Sequence, residues 1–235
     1  MAHGFTQNGD CWGPYAEDLA RDHELVLVDC PGHGASGHDE ADLWRAAQLL
    51  VEVGGPATYV GYSMGGRIAL HAALASPEVV TRLVLIGATA GIDDETERTD
   101  RRQRDRELAE QLGRVGIEKF LDGWLTSPLF SGLSAETACR AQRLQNRPDG
   151  LVASLLNCGT GTQGSLWSRL PELNMPLLVV AGSDDSKFTA IGERIADEAT
   201  NASTKLAVVN GTHAVHLERP HEVADVVRSF VAVRP

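Results

Sequence analysis

The chain has 235 residues, of which 43% are hydrophobic and 23% are charged, and its formal net charge is −11 at pH 7. This length suits one α/β domain or two small ones, with ample core. The charge argues against nucleic acid or an anionic membrane as the main partner, and no segment resembles a membrane span or a signal peptide.

Apolar runs predict five strands that are mostly buried on both faces of a sheet. In chain order they cover residues 24–29, 57–62, 82–88, 176–182 and 205–210. Helical spacing is found at residues 42–53, 67–75, 191–199 and 221–233. This alternation predicts an α/β fold, with a mostly parallel sheet and helices on both of its faces.

The segment 91–170 interrupts the alternation. It has no strand candidate, is polar and helical in character, and contains nine arginines between Arg98 and Arg147. We expect a helical cap here, inserted into a core formed by residues 1–90 and 171–235. Such a cap would cover the carboxyl edge of the sheet, where ligands bind in open α/β folds.

The stretch GYSMGG begins in the second predicted strand and ends where the next helix starts. Ser63 therefore occupies a sharp strand-to-helix turn, which Gly61 and Gly65 permit because they lack side chains. In this context the pattern G-x-S-x-G indicates a nucleophile elbow. The alternative is a glycine-rich turn in which the serine is incidental.

A nucleophilic serine needs a histidine to take its proton and a carboxylate to orient that histidine. Asp184 and Asp185 follow the predicted strand 176–182, and His213 follows the predicted strand 205–210. Both positions lie at the same sheet edge as Ser63 and in the chain order serine, acid, histidine. These residues form the candidate catalytic set, with either aspartate as the acid.

Negative charge that develops during a reaction at Ser63 would need two backbone N–H donors. Met64, at the start of the helix, is one candidate. The second is Phe5, in the stretch HGF near the beginning of the chain.

The stretches HGF, VDCPGHGASG, GYSMGG and GTHAVHLERP together resemble the α/β-hydrolase superfamily. Segments in and beside the cap, among them RRQRD, FLDGWLTSPLF, RLQNRPDGL, GTGTQGSLW and GSDDSKF, resemble one branch of it. That branch is 2-succinyl-6-hydroxy-2,4-cyclohexadiene-1-carboxylate synthase, a lyase of menaquinone biosynthesis. The resemblance extends over nearly the whole chain.

This resemblance implies that Asp185 is the acid, because the branch spaces aspartate, one residue, lysine and phenylalanine as here. It implies His213 as the base, with His216 a structural neighbour. The implied reaction is elimination of pyruvate from 2-succinyl-5-enolpyruvyl-6-hydroxy-3-cyclohexene-1-carboxylate, a small polycarboxylate. No cofactor or metal is implied.

A polycarboxylate substrate needs cationic partners, and guanidinium groups match carboxylates in pairs of hydrogen bonds. Arg67 lies one helical turn beyond Ser63, and Arg101 and Arg143 lie in the cap. The alternative for such arginines is pairing with acidic neighbours on a solvated helix. The aromatic residues expected to form walls of the pocket, which could equally be core residues, are Tyr62, Trp124 and Phe130.

Two patterns are rejected as sites. GTGTQG, residues 159–164, fits a dinucleotide-binding pattern, but a helical stretch precedes it and no βαβ unit surrounds it. His213 and His216 lack a third metal ligand at suitable spacing. The four cysteines contain no CxxC pair, which predicts free thiols and a cytoplasmic protein.

Two other functions remain open. A hydrolase on the same scaffold could act on an ester, a thioester or a carbon–carbon bond, because the fold does not determine the pocket. A non-catalytic ligand-binding protein could also retain the fold.

The beginning of the chain raises a separate expectation. Only Met1 and Ala2 precede the HGF loop, which in this fold follows a central strand. We therefore expect strands to be missing near the N-terminus and the natural protein to begin upstream.

Overall fold

A four-stranded parallel sheet forms the centre of the computed structural model, which describes residues 1–200 and 203–232. Its strands are β1 (Ala57–Tyr62), β2 (Val80–Ile86), β3 (Leu177–Gly182) and β4 (Lys205–Val209). They lie side by side in chain order, and each neighbouring pair is parallel. The predicted parallel sheet is confirmed, with four of the five predicted strands present.

Nine α-helices occur in the described part of the chain. They are α1 (Gly13–Leu19), α2 (Leu43–Gly54), α3 (Met64–Ala75), α4 (Glu95–Trp124), α5 (Arg140–Arg143), α6 (Pro148–Cys158), α7 (Ser186–Glu198), α8 (Val215–Glu218) and α9 (Pro220–Val231). Short 3₁₀ helices cover Gly9–Trp12, Gly34–Ser36, Pro128–Phe130 and Trp167–Glu172. The helix predicted over residues 221–233 corresponds to α9, and its final position, Val233, lies outside the described residues.

Most strand residues are apolar because both faces of the sheet are covered, and all of β3 and the last four residues of β2 are buried. Leu83 and Leu85 of β2 pack in the core layer that contains α2, α3 and α7. Val84 and Ile86 pack in the opposite layer, with α1, α8 and α9. Successive side chains of a strand point to opposite faces, so an unbroken apolar run serves both layers.

The prediction of a strand over residues 24–29 is wrong. In this segment only Val28 forms a bridge, and it pairs with Ala2. Val26 and Leu27 are 45% and 40% exposed. A strand needs a hydrogen-bonded neighbour along its length. Among the described residues, only the backbone of Met1–Ala2 lies beside this segment. The segment therefore has the apolar composition of a strand but forms no hydrogen-bonded ladder.

Met1 and Ala2 lie between the segment around Val28 and strand β1. Ala2 bridges in parallel to both Val28 and Gly61. Its N–H donates to the Val60 carbonyl at 2.8 Å, and its carbonyl accepts from the Tyr62 N–H at 3.0 Å. These two residues thus carry the HGF loop to the edge where β1 ends. The upstream start of the natural protein stays a prediction.

The region between β2 and β3 contains α4, α5 and α6 and, within the described residues, no strand. Helices α4 and α6 pack against each other, with Leu112, Phe120 and Leu151 fully buried at their contact. This layer lies over the ends of the strands that carry the candidate site, since its residues line the same cavity as Ser63. The division into a core and a cap at residues 91–170 remains our prediction.

Candidate active site

Ser63 lies at the turn between β1 and α3, with φ 51° and ψ −107°. Non-glycine residues rarely have positive φ, and such strain persists only where neighbouring structure holds it. A Cβ on Gly61 would lie 2.4 Å from the Gly65 carbonyl oxygen, and one on Gly65 would lie 2.0 Å from the Ala2 carbonyl oxygen. The flanking glycines therefore let the backbone close tightly enough to project the serine.

A continuous hydrogen-bonded relay joins Ser63, His213 and Asp185. The His213 Nε2 atom is 3.1 Å from Ser63 Oγ, and its Nδ1 atom is 2.8 Å from Asp185 Oδ2. His213 and Asp185 are only 5% and 9% exposed. With Asp185 accepting from Nδ1–H, Nε2 is free to accept the serine proton.

Of the two adjacent aspartates, only Asp185 reaches the histidine. Its other oxygen, Oδ1, accepts from the Phe188 N–H at 3.2 Å and so caps the N-terminus of α7. Asp184 is exposed, and its side chain accepts from the Ser183 hydroxyl. The cap bond helps to fix the orientation of the Asp185 carboxylate, since an N-cap side chain that accepts from the first turn stabilises the start of a helix.

Aromatic rings pack against the His213 imidazole. The ring centroids of Phe188 and Tyr62 are 4.4 Å and 5.4 Å from that of His213. His216, the expected neighbour, is fully buried and packs 4.2 Å from Tyr62. Burial lowers the pKa of His216 to about 3, so its ring stays neutral.

The two candidate backbone N–H groups are free to donate hydrogen bonds to a negatively charged oxygen. Neither the Met64 N–H nor the Phe5 N–H donates a hydrogen bond to any described residue. Met64 is the first residue of α3, where the N–H groups have no partner within the helix and the helix dipole favours an anion.

Two neutral histidines hold the loop that carries Phe5. His3 accepts from the Cys30 N–H at 3.0 Å and contacts the Gly4 carbonyl at 2.8 Å, while His33 accepts from the Thr6 N–H at 3.3 Å. Burial lowers the pKa of His3 to about 4 and that of His33 to about 3. Because each uses one ring nitrogen as an acceptor, the loop depends on both being unprotonated.

A cavity of about 950 Å³ opens beside Ser63. All eleven predicted site residues except Asp185 line it: Phe5, Tyr62, Ser63, Met64, Arg67, Arg101, Trp124, Phe130, Arg143 and His213. Asp185 lies behind His213. The structure thus brings the predicted residues together, from both the core and the helical layer.

Two buried arginines in this cavity have no carboxylate partner among the described residues. Arg67 is 7% exposed, and within residues 1–200 and 203–232 its side chain has one hydrogen-bond partner, the amide oxygen of Gln163. Arg143 is 1% exposed and donates from Nε to the Ala138 carbonyl at 2.8 Å and from Nη1 to the Thr6 hydroxyl. Its Nη2 atom is buried without a partner in the part of the chain that the structure describes. A buried guanidinium without a counter-ion is costly, which favours an anionic ligand.

Arg101 differs from these two because it is already paired. Its Nε donates to Asp105 Oδ1 at 2.8 Å, one helical turn away, although it lines the cavity. The expected alternative, pairing with an acidic neighbour on the helix, therefore applies to Arg101 in part.

Sequence reasoning missed several residues of this site. Phe188 was used only to identify Asp185 from the spacing of the residues after it. Asp105 and Gln163, which the structure shows to be buried and polar, were not identified as site residues. The i, i+4 spacing of Arg101 and Asp105 could have indicated their pairing. Nothing in the sequence links Gln163 to Arg67, which lie 96 positions apart.

No three His, Cys, Asp or Glu side chains converge as metal ligands within residues 1–200 and 203–232. None of the helices in these ranges combines the length and apolar character needed to cross a bilayer.

The chain is similar in sequence to a known family and to named bacterial proteins. The alpha/beta hydrolase family matches residues 1–226. A Bacillus subtilis (strain 168) protein, provisionally named 2-succinyl-6-hydroxy-2,4-cyclohexadiene-1-carboxylate synthase, is 35% identical over 97% of this chain and 88% of its own length. The Salmonella typhimurium (strain LT2) protein with that name is 32% identical over 95% of this chain and 89% of its own length.

Solved structures agree with the sequence comparison. MenH from S. aureus superimposes with a TM-score of 0.91 at 30% identity, covering 98% of this chain and 91% of its own. A thermophilic esterase from Thermogutta terrifontis has a TM-score of 0.81 at 23% identity, covering 98% and 87%. The esterase is similar in fold alone.

Proposed function

Because this chain belongs to the alpha/beta hydrolase family, and within it to the family of the 2-succinyl-6-hydroxy-2,4-cyclohexadiene-1-carboxylate synthases, we propose that it catalyses their elimination reaction. The substrate is 2-succinyl-5-enolpyruvyl-6-hydroxy-3-cyclohexene-1-carboxylate, and the products are pyruvate and the cyclohexadiene. The observation that carries the proposal is the cavity in which the Ser63 relay faces guanidinium groups that have no carboxylate partner among the described residues.

Proton removal is the first step. His213 takes the Ser63 hydroxyl proton at Nε2, and the resulting alkoxide removes the ring proton at C2, next to the succinyl carbonyl. Negative charge moves onto that carbonyl oxygen, where the Met64 and Phe5 N–H groups stabilise it. Asp185 stabilises the imidazolium that forms on His213.

Elimination follows when the charge returns to the ring. A C2–C3 double bond forms, the C3–C4 double bond moves to C4–C5, and the C5–oxygen bond breaks. The leaving enolpyruvate takes the proton from His213 Nε2 and tautomerises to pyruvate, while Ser63 keeps the former ring proton on Oγ. Serine and histidine thus return to their starting states.

The cationic residues bind the substrate. It carries three carboxylates, on the ring, on the succinyl chain and on the enolpyruvyl group, and the buried Arg67 and Arg143 supply charge that no carboxylate of the described chain neutralises. Arg101 adds the guanidinium N–H groups that do not bind Asp105. The aromatic rings of Tyr62, Trp124 and Phe130 form apolar walls.

The test compares the wild-type protein with the Ser63→Ala variant. Pyruvate release is measured by coupling it to lactate dehydrogenase. We expect release to depend on Ser63, with a loss of about a thousandfold or more in kcat in the variant. Fast hydrolysis of a neutral p-nitrophenyl ester without pyruvate release would contradict the proposal and favour a hydrolase.

A further inference from the structure

Gln163 contacts the Arg67 guanidinium but is not one of the residues that line the cavity. It is 1% exposed, and its amide oxygen accepts from Arg67 Nη1 at 3.5 Å. Its amide nitrogen donates to the Thr89 carbonyl at 3.5 Å. Both ends of the side chain are therefore occupied, and the oxygen is the end that faces the guanidinium.

The loop that carries Gln163 is held against α4 through the backbone of Gly161. The Gly161 N–H donates to Asp105 Oδ2 at 3.0 Å, and the Gly161 carbonyl accepts from Arg102 Nε at 3.1 Å. A Cβ on Gly161 would lie 2.2 Å from the Arg102 backbone nitrogen. The GTGTQG stretch thus forms a close-packed support for α4 and for Gln163.

Charge in this region is distributed unevenly. Asp105, the buried acid in this region, is bound to Arg101 and to the Gly161 N–H. Arg67 is left with a neutral amide. Burial lowers the pKa of Arg67 to about 10, so it remains protonated at neutral pH. A carboxylate would fit the place of the Gln163 amide almost without change of shape, but it would neutralise the guanidinium.

We propose that Gln163 is a positioning residue, which orients Arg67 through a neutral hydrogen bond and thereby keeps its full charge available to a substrate carboxylate. The inference rests on the proposed function, since it assumes an anionic substrate. It assigns to the GTGTQG loop a role in substrate specificity, exerted through Arg67 and without contact with the substrate.

The first test substitutes Gln163 by Glu or by Met. We expect Gln163→Glu to raise KM for the polycarboxylate about tenfold or more while kcat changes by less than about threefold, because an ion pair with Arg67 removes uniform binding. Gln163→Met removes the hydrogen bond without adding charge, so we expect a smaller rise in KM. Gln103→Glu, an exposed substitution of the same kind on α4, should leave KM unchanged.

Coupling to Arg67 separates positioning from a general effect on folding. In an Arg67→Ala background, Gln163→Glu should have little further effect on KM, since the charge it neutralises is gone. An undiminished effect in that background would overturn the inference. So would an unchanged KM in Gln163→Glu, or, if that variant does not fold, an unchanged KM in Gln163→Met.

A neutral fluorophosphonate that labels Ser63 provides the control for fold and relay. We expect both Gln163 variants to be labelled at the wild-type rate, and the substrate to protect wild-type Ser63 at lower concentration than it protects Gln163→Glu. Equal protection would overturn the inference alone. A wild-type protein that neither releases pyruvate nor is protected would overturn the proposed function, and the inference with it.

Discussion

Asp184 and Asp185 are adjacent in sequence, yet their carboxylates have different surroundings. Asp185 is buried, caps α7 and accepts from His213, whereas Asp184 is exposed. Both follow β3, so position along the chain left the two alternatives open. The direction of the α7 N-terminus decides between them, because the capping residue must turn its carboxylate back over the first turn.

Asp185→Asn should lower kcat for pyruvate release about a thousandfold or more, and it should slow fluorophosphonate labelling of Ser63 to a similar degree. The asparagine can no longer stabilise the imidazolium or fix the Nδ1–H tautomer of His213. Steady-state kinetics and labelling rates measure the two effects.

Asp184→Asn is the matched control, since it makes the same chemical change one residue away on an exposed side chain. We expect it to behave as wild type in both measurements. A large loss in Asp184→Asn, or none in Asp185→Asn, would contradict the assignment.

Helix α4 is the longest element of the helical layer, and it is broken at one residue. Gly116 has φ 77° and ψ 167°, a conformation open almost exclusively to glycine. The break separates the first part of the helix, which carries Arg101 and Asp105, from the second part, which carries Phe120 and Trp124. Both parts can therefore line the same cavity.

Gly116→Ala should lower the free energy of unfolding by about 1 kcal/mol or more, because alanine is strained at this φ. Apart from its chain neighbours and the local helix backbone, no atom of the described chain lies within 4 Å of the position that the new Cβ would take, so the cost comes from the backbone conformation. Urea unfolding measures the change.

Gly113→Ala, in the same helix, should instead raise the free energy of unfolding by about 0.5–1 kcal/mol. The helical backbone accepts alanine there, and the nearest side-chain atom, on Val152, is 4.0 Å away. Equal effects of the two substitutions would contradict the prediction that alanine is strained at Gly116.

At the scale of the whole molecule, burial keeps histidines neutral in several separate parts of the fold. It lowers the pKa of His3 and of His71 to about 4, and that of His33 and of His216 to about 3. Their ordinary pKa in an unfolded chain is about 6.5. Between these values the unfolded chain binds protons that the folded protein does not, so acidification favours unfolding.

The free energy of unfolding should therefore be insensitive to these groups above about pH 6.5. It should fall as the pH drops from about 6.5 toward about 4, by about 1.4 kcal/mol per pH unit for each histidine. Urea unfolding at several pH values on either side of the ordinary histidine pKa measures the slope.

His71→Gln should make this slope shallower by the contribution of one proton, since it removes a single buried group. His38→Gln, on an exposed side chain, should leave the slope unchanged. A free energy of unfolding that stays constant across the acidic range would contradict the prediction.

The sequence by itself determined the parallel α/β architecture and most of the residues from which the site is built. Strands buried on both faces leave unbroken apolar runs, and the elbow leaves its glycines, because these are local requirements of the backbone. The chain order of serine, acid and histidine could be predicted for the same reason, since each of these residues follows its own strand, but position alone did not choose between Asp184 and Asp185.

Only the tertiary structure decided which contacts these residues make. Residues 24–29 have the composition of a strand but, in the described structure, no neighbour along their length beyond Met1–Ala2. Gln163 and Arg67 meet across 96 positions because the loop after α6 contacts both α3 and α4. Hydrogen-bond partners and unneutralised charges depend on packing between distant segments, and a local sequence pattern cannot predict that packing.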